Sequence, residues 1–331
     1  MDLRGPLGDL GAVLARPSTA PDGPLDDVRA IIADVRERGD AALRDLTVRY
    51  DGVDLENVIV DPEDVASAPA RIDPVVLEAL EFAAAAIRRH HEGQRRAELR
   101  TDEDGLCVRS ISRPVQRAGC YAPGGRAAYP STVLMTAVPA RVAGVGVVVL
   151  CVPPGPDGRV ADVTLAAAAV AGVDVVYAVG GAQAVAAMAY GTASIPAVDV
   201  IAGPGNVYVA LAKREVAGHV GVPSAFAGPS EVVVVADSTV PPAFAAIDVV
   251  VQAEHGPGGL AWLITWDEAV SEAIEAEVDR IVATAPRRDE ITATLDDAGW
   301  SVLVDGPDEA LAVADAIAPE HLQLMVADAG G

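Results

Sequence analysis

The chain has 331 residues, of which 51% are hydrophobic and 22% are charged, so it is long enough for two domains and can bury a substantial core. Its net charge of −24 argues against nucleic acid or an anionic membrane as a partner, because both require a basic protein face. No secretory segment is recognisable at the start, and the three cysteines lack metal-ligand spacing, so we expect a cytoplasmic protein.

The first 115 residues predict a helix-rich segment. Helical periodicity extends over residues 25–50, with two aspartates near its start and Gly52 after its end. A second helix is predicted over residues 73–99, apolar in its first half and basic in its second. We expect this N-terminal helical segment, residues 1–115, to pack with the second of two α/β units that follow it.

From about residue 116, short valine-rich runs alternate with alanine-rich helical stretches. Unbroken apolar runs of this length are typical of strands buried on both faces of a parallel sheet. The predicted strands are 145–152, 173–179, 198–202 and 231–236, and the predicted helices lie around 131–143, 161–171, 181–190 and 205–217. These βαβ repeats predict a first α/β unit over residues 116–236.

A second alternating series occupies residues 237–331. Its predicted helices are 241–255, 267–285, 287–298 and 307–317, and its predicted strands are 260–266, 301–304 and 322–326. The fold class is therefore predicted to be α/β, with two Rossmann-like parallel-sheet units, no GxGxxG fingerprint, and the N-terminal helical segment. Because a parallel unit normally continues from its last strand into a covering helix, we expect the second unit to be incomplete at its C-terminus.

Two glycine-containing turns each follow a predicted strand and open a predicted helix. Gly180-Gly181 leads to Gln183, and Gly203-Pro204-Gly205 leads to Asn206. Open α/β sheets bind ligands beyond the carboxyl ends of their strands. The two turns therefore predict either a crevice for a dinucleotide, contacted by Tyr121, Gln183 and Asn206, or simply two tight turns.

The stretch 119–132 combines three glycines with Ser131-Thr132 before a predicted helix. It is either a phosphate-binding loop at a helix N-terminus or an ordinary loop with a cap. Cys120 in this stretch is either a thiolate nucleophile for an aldehyde or an inert core residue. Its apolar surroundings favour inert packing.

Two of the five histidines directly follow a glutamate, in short polar islands surrounded by apolar sequence. Gln252 and His255 lie three residues apart on a predicted helix and share a face, which suits two ligands of one metal but is also typical of a helix end. Glu320 and His321 offer two proton-transfer groups, although such a dipeptide is more often structural. Ser230, before a four-valine strand, either caps a turn or binds a polar substrate. Together these features indicate a metal-assisted enzyme with acid/base chemistry.

The residues of the motifs and the order of the motifs along the chain are together more specific than any single motif. The series is Gly-Cys-Tyr-Ala-Pro-Gly-Gly, Val-Gly-Gly-Ala-Gln-Ala, Gly-Pro-Gly-Asn, Ala-Gly-Pro-Ser-Glu, Gln-Ala-Glu-His-Gly-Pro and Ala-Pro-Glu-His-Leu. This series closely resembles histidinol dehydrogenase. The likeness covers nearly the whole chain, including Gly93-Gln94-Arg95-Arg96.

The resemblance implies a zinc- and NAD-dependent oxidation of L-histidinol to L-histidine, in two hydride transfers through L-histidinal. By position it implies zinc ligands at Gln252 and His255, substrate contacts at Ser230, Gln252, His255 and His321, NAD contacts at Tyr121, Gln183 and Asn206, and an acid/base pair at Glu320 and His321.

The family continues for roughly a hundred residues beyond residue 331, about the length of a small domain. The resemblance implies that this part supplies an aspartate zinc ligand, and a C-terminal domain whose Glu and His reach the partner's site in a full-length homodimer. We therefore expect a truncated enzyme. Two alternatives stay open: a related zinc/NAD dehydrogenase of another polar alcohol, such as a sulfonated diol, and an inactive NAD-binding fragment.

Overall fold

The computed structural model describes residues 1–14, 24–124, 127–223, 230–256 and 259–330. The chain divides into two compact units: a larger unit, Asp22–Ala227, and a smaller unit, Met1–Pro21 with Gly228–Gly331. Each unit contains a four-stranded sheet in which all pairings are parallel, so the predicted α/β class is confirmed. Over the described ranges, no helix combines the length and the apolar character needed to cross a bilayer.

The elements are numbered in chain order. The helices are α1 (Leu10–Val13), α2 (Leu25–Arg38), α3 (Asp40–Asp51), α4 (Pro62–Ser67), α5 (Pro74–Glu92), α6 (Pro130–Ala143), α7 (Asp162–Ala171), α8 (Gly181–Tyr190), α9 (Val207–Val216), α10 (Pro242–Ala253), α11 (Glu268–Thr284), α12 (Arg288–Ala298) and α13 (Pro307–Ile317). The strands are β1 (Leu99–Glu103), β2 (Leu106–Ser110), β3 (Arg117–Tyr121), β4 (Val147–Val152), β5 (Val175–Ala178), β6 (Val200–Ala202), β7 (Glu231–Ala236), β8 (Leu260–Thr265), β9 (Gly299–Leu303) and β10 (His321–Met325). The strands predicted after residue 144 all form, within about two residues of their expected bounds.

The sheet of the larger unit has the strand order β5-β4-β3-β6 and is covered on both faces. Alternate side chains point to opposite faces, as strand geometry requires. Val149 and Cys151 of β4 join a core with α2, α3, α8 and α9. Val148 and Leu150 join a second core with α5, α6 and α7. Burial on both faces explains why these strands consist of unbroken apolar runs.

Two predictions in the N-terminal segment were wrong in detail. The helix predicted over 25–50 is two helices, because Gly39 has a φ of 55° and ends α2 before α3 begins. The helix predicted over 73–99 ends at Glu92, and an antiparallel ribbon of β1 and β2 follows it. Asp104 and Gly105 turn this ribbon with positive φ angles of 49° and 83°, which is the backbone that an Asp-Gly hairpin turn requires.

The smaller unit has the strand order β10-β7-β8-β9. Val233 and Trp262 pack with α13 on one face, while Val232 and Leu263 pack with α10 and α11 on the other. The N-terminus adds to this sheet, since the backbone of Leu303 hydrogen-bonds to Met1 and Leu3.

The observed division departs from the expected domain boundaries at two points. β7, placed by sequence in the first α/β unit, belongs to the smaller unit because it pairs with β8 and β10. Helices α2 and α3, expected to pack with the second α/β unit, share a core with α8 and α9 in the larger unit. Strand pairing and helix packing are long-range interactions, and local sequence pattern carries little information about them.

The structure supports inert packing for Cys120, and thiol labelling tests this. Cys120 and Cys151 are buried, while Cys107 on β2 is exposed. Burial raises the pKa of Cys120 to about 11 and raises that of Cys151 as well, so both thiols stay protonated at neutral pH. We expect the disulfide reagent DTNB, at a pH of about 8, to modify Cys107 alone in the native protein and all three cysteines after denaturation. Rapid native labelling of Cys120 would instead support the nucleophile interpretation.

Candidate active site

Five predicted site residues lie at one edge of the smaller unit's sheet, where its strands begin. Ser230 directly precedes β7, Gln252 and His255 lie at the end of α10 before β8, and Glu320 precedes β10, which begins at His321. The parallel register aligns these points, because Leu260 of β8 is opposite Glu231 and His321 is opposite Val232. We call this edge the amino edge. It gathers residues that are up to 91 positions apart in sequence, from Ser230 to His321.

Gly259 shows how closely two of these segments approach. A Cβ added to Gly259 would lie 3.5 Å from the carbonyl oxygen of Gln252 and 3.6 Å from that of Ser230. The Ser230 carbonyl also accepts a hydrogen bond from the Leu260 amide at 3.0 Å. The end of α10 and the start of β7 therefore both approach the backbone at Gly259.

The side chains of Gln252 and His255 each have a nitrogen atom without a hydrogen-bond partner among the described residues. Gln252 is 6% exposed, and its Nε2 has no hydrogen-bond partner among the described residues. His255 is exposed, with Nδ1 3.0 Å from the Val251 carbonyl oxygen. Since a carbonyl can only accept, Nδ1 carries the proton in the neutral imidazole and Nε2 then has the lone pair, which is the arrangement that metal-binding histidines use. A buried NH2 group without a partner costs about 1–3 kcal/mol, and because this group can only donate, it would pair with an acceptor atom of a ligand, while the amide oxygen is the atom that could bind a metal.

The fit of this edge to zinc is partial. Within the ranges that the structure describes, no group of three or more His, Cys, Asp and Glu side chains could hold a metal ion. Zinc sites use at least three protein ligands, even where a position is left open for substrate. Gln252 and His255 therefore fit as two members of a ligand set that needs at least one further donor.

Glu320 and His321 are exposed at the start of β10, the outermost strand of its sheet on that side. Helix α13 ends at Ile317, and Ala318 then takes a left-handed conformation with a φ of 47°. Such a backbone is unfavourable for a residue with a Cβ, so the surrounding structure must hold it in place. This turn leads the chain from α13 into the Glu320-His321 pair.

The predicted nucleotide contacts lie in the larger unit, where its strands end. Tyr121 is the last residue of β3, and its Oη accepts a hydrogen bond from the Gly181 amide at 3.0 Å. Gly203 follows β6 with a φ of 122°, and a Cβ there would overlap the Tyr121 carbonyl group. Burial raises the pKa of Tyr121 to about 12. Both glycine turns therefore pack around Tyr121, at what we call the carboxyl edge.

Gln183 and Asn206 lie in the first turns of the helices that follow these turns. Gln183 is 2% exposed, and a Cβ added to Gly181 would lie only 2.5 Å from its Oε1. Asn206 caps α9, since its side-chain oxygen accepts from the Val209 amide at 3.2 Å. The capping bond occupies the oxygen of Asn206 and leaves its NH2 group able to donate. The structure thus brings all three predicted nucleotide contacts to the carboxyl edge.

Lys213 holds the second glycine turn in place. The sequence motifs did not predict this residue. It is 4% exposed, and its Nζ donates to the Gly203 carbonyl at 2.8 Å. Burial lowers its pKa, since the charged form loses hydration. The available signal was that this is the only lysine in the chain and follows six apolar residues of α9.

Two parallel sheets with polar side chains gathered at strand ends define an α/β enzyme. The family model for histidinol dehydrogenase matches residues 14–330. Histidinol dehydrogenase from Pseudomonas putida is 47% identical over 96% of this chain and 73% of that protein, and the one from Moorella thermoacetica is 46% identical over 96% and 74%. The crystal structure of histidinol dehydrogenase from Elizabethkingia anophelis superposes with a TM-score of 0.94 at 31% identity, over 99% of this chain and 76% of that one. The chain belongs to the histidinol dehydrogenase family and is an oxidoreductase.

Replacing Gly203 with alanine tests how tightly the turn packs on Tyr121. Gly105→Ala is the matched control, because Gly105 also has a positive φ but has no neighbouring atom within 4 Å of the added Cβ. We expect the control to lower the free energy of unfolding by about 1 kcal/mol, the ordinary cost of such a backbone. Gly203→Ala should cost at least about 3 kcal/mol in chemical denaturation, because it adds a backbone overlap. Equal costs would contradict the close packing.

Proposed function

We propose that the chain oxidises L-histidinol to L-histidine with NAD, through L-histidinal, in the last steps of histidine biosynthesis. The observation that supports this most strongly is the amino edge, which combines proton-transfer groups, polar substrate contacts and two candidate metal ligands. The family membership supplies the substrate class, since the curated relatives are named for histidinol.

NAD, when bound, accepts the hydride in each oxidation. We assign its contacts to Tyr121, Gln183 and Asn206. The carboxyl edge suits the phosphates of NAD, because α8 and α9 begin there and the amide groups of a helix N-terminus attract phosphate. The NH2 group of Asn206 adds a donor beside them.

His321 acts as the base that removes the proton from the alcohol oxygen while the hydride leaves the carbon bearing that oxygen, and the C=O bond of the aldehyde forms. Glu320 then assists water in adding to the aldehyde, and His321 removes a proton from the resulting hydrate as the second hydride leaves. An imidazole suits this work, because it accepts and releases protons near neutral pH. Exposure of both side chains lets protons pass to solvent between steps.

We assign Gln252 and His255 as two zinc ligands, with Ser230 as a further substrate contact. Bound zinc would supply a Lewis acid that orients the substrate and favours its deprotonated amine. The homodimer, and the cytoplasmic location, stay predictions.

The first experiment mixes the chain with zinc, NAD and L-histidinol and follows the absorbance of NADH. We expect His321→Ala to lower the turnover rate at least about 100-fold, because it removes the base. The affinity for NAD, measured by calorimetry, should be unchanged. His90→Ala is the control, since His90 is an exposed residue of α5 and lies outside the proposed site.

Other outcomes of this experiment separate the alternatives. Turnover with another polar alcohol, such as a sulfonated diol, and not with L-histidinol would favour a related zinc/NAD dehydrogenase. NAD binding without turnover of any alcohol would favour a nucleotide-binding chain without activity. Absence of NAD binding would contradict the assignment of the carboxyl edge.

Zinc binding can be measured without turnover. We expect His255→Ala to weaken the zinc affinity of the chain at least about tenfold in equilibrium dialysis, because it removes a ligand. The control His91→Ala should have no effect, since His91 lies on α5 and bonds to Gln94. An unchanged zinc affinity in His255→Ala would rule out His255 as a ligand.

A further inference from the structure

One carboxylate oxygen in the larger unit is buried without a partner. Oδ2 of Asp51 has no hydrogen-bond partner among the described residues, and no Arg, Lys or His there forms an ion pair with it. Asp51 is the last residue of α3, where the carbonyl end of the helix disfavours a negative charge. Burial raises the pKa of Asp51, in keeping with an environment that opposes ionisation.

The end of α3, where Asp51 lies, is on the same side of the larger unit as the carboxyl edge. Ser194, which follows α8, donates to the Asp40 carboxylate at the start of α3 at 2.7 Å, so the two helices run in opposite directions and the end of α3 faces the start of α8. A Cβ added to Gly158, in the loop after β4, would lie 3.3 Å from Val53, two residues beyond Asp51. The charge of Asp51 also contributes to the raised pKa of Tyr121, although burial is the main cause. Helix α3 also packs against α8, whose first residue, Gly181, donates to the Tyr121 hydroxyl. Asp51 therefore lies on the side of the larger unit where the carboxyl edge and the proposed nucleotide site are.

We propose that Asp51 is a further cofactor-binding residue, which accepts hydrogen bonds from the hydroxyl groups of the adenosine ribose of NAD and selects NAD over NADP. This inference rests on the proposed use of NAD. A ribose diol presents two O–H donors, and an unpaired carboxylate oxygen offers the acceptor sites that match them. The same carboxylate repels a phosphate on the 2′ oxygen, which provides the discrimination.

A contact with ribose explains why a partly buried acid occupies position 51, where its charge is unfavourable. A buried acceptor that is unsatisfied in the free protein becomes satisfied when a hydroxyl donor arrives, so binding recovers the free energy that folding lost. An asparagine would fit the same space without the charge, but it would lack the repulsion that excludes the phosphate.

Asp51→Asn tests the proposal through binding, without turnover. Calorimetry on the whole chain would measure the Kd for NAD and for NADP, and a thermal scan would measure Tm. The wild-type chain should bind NAD at least about tenfold more tightly than NADP. Asp51→Asn should weaken NAD binding about tenfold and bring the two Kd values within about threefold of each other, because one charge-assisted acceptor and one repulsion are lost.

The Tm separates this role from a structural one. Because the folded state raises the pKa of Asp51, its ionised form opposes folding at neutral pH, and Asp51→Asn should leave Tm unchanged or increase it. Asp54→Asn is the control: it makes the same change of charge at an exposed position three residues further on and should leave both Kd values within about twofold of wild type.

Three results would overturn the proposal. The first is an unchanged Kd for NAD in Asp51→Asn, and the second is an equal loss for NAD and NADP together with a lower Tm, which would show a structural role. Either leaves the proposed function intact. The third is a wild-type chain that binds neither dinucleotide, which would remove the proposed use of NAD as well.

Discussion

Parallel strand pairing is the interaction on which both candidate sites depend. In a parallel sheet all strands begin at one edge and end at the other, so residues far apart in sequence are gathered wherever they flank corresponding strand ends. Pairing of β7 with β8 and β10 brings Ser230, the end of α10 and His321 to the amino edge. Pairing of β3 with β4 and β6, and of β4 with β5, places the glycine turns around Tyr121. A shift of register would separate these groups without changing any local structure.

The two units use opposite edges of their sheets. The larger unit follows the usual rule for open α/β sheets, since its polar contacts lie beyond the carboxyl ends of the strands. The smaller unit gathers its polar groups at the amino edge, where helix C-termini such as that of α10 arrive. A helix C-terminus carries partial negative charge, which favours a cation. This polarity agrees with a metal at the amino edge and a phosphate-bearing nucleotide at the carboxyl edge.

Much of the fold could be predicted because buried strands and amphipathic helices leave strong local patterns. The run of four valines after Glu231 predicted β7 to the residue, and the alanine-rich stretch after Gly180 predicted α8. β3 was missed because its Gly119-Cys120-Tyr121 end belongs to a motif whose glycines indicate a loop. In the structure, Gly119 leaves room for a neighbouring side chain, because a Cβ at this position would lie 2.5 Å from the sulfur of Met188. The β1–β2 ribbon was missed because its residues are exposed and its apolar run, Leu106-Cys107-Val108, is only three residues long.

The sequence by itself determined the α/β class, the family and the identity of the polar residues, because these depend on composition, periodicity and local motifs. Only the tertiary structure decided that β7 belongs with β8 and β10, that Nδ1 of His255 faces the Val251 carbonyl, and that Gln252 and Asp51 each hold a buried polar atom without a partner among the described residues. Pairing, burial and hydrogen bonding depend on atoms brought together from distant parts of the chain. A buried polar atom can be recognised as unpaired only when all of its neighbours are known.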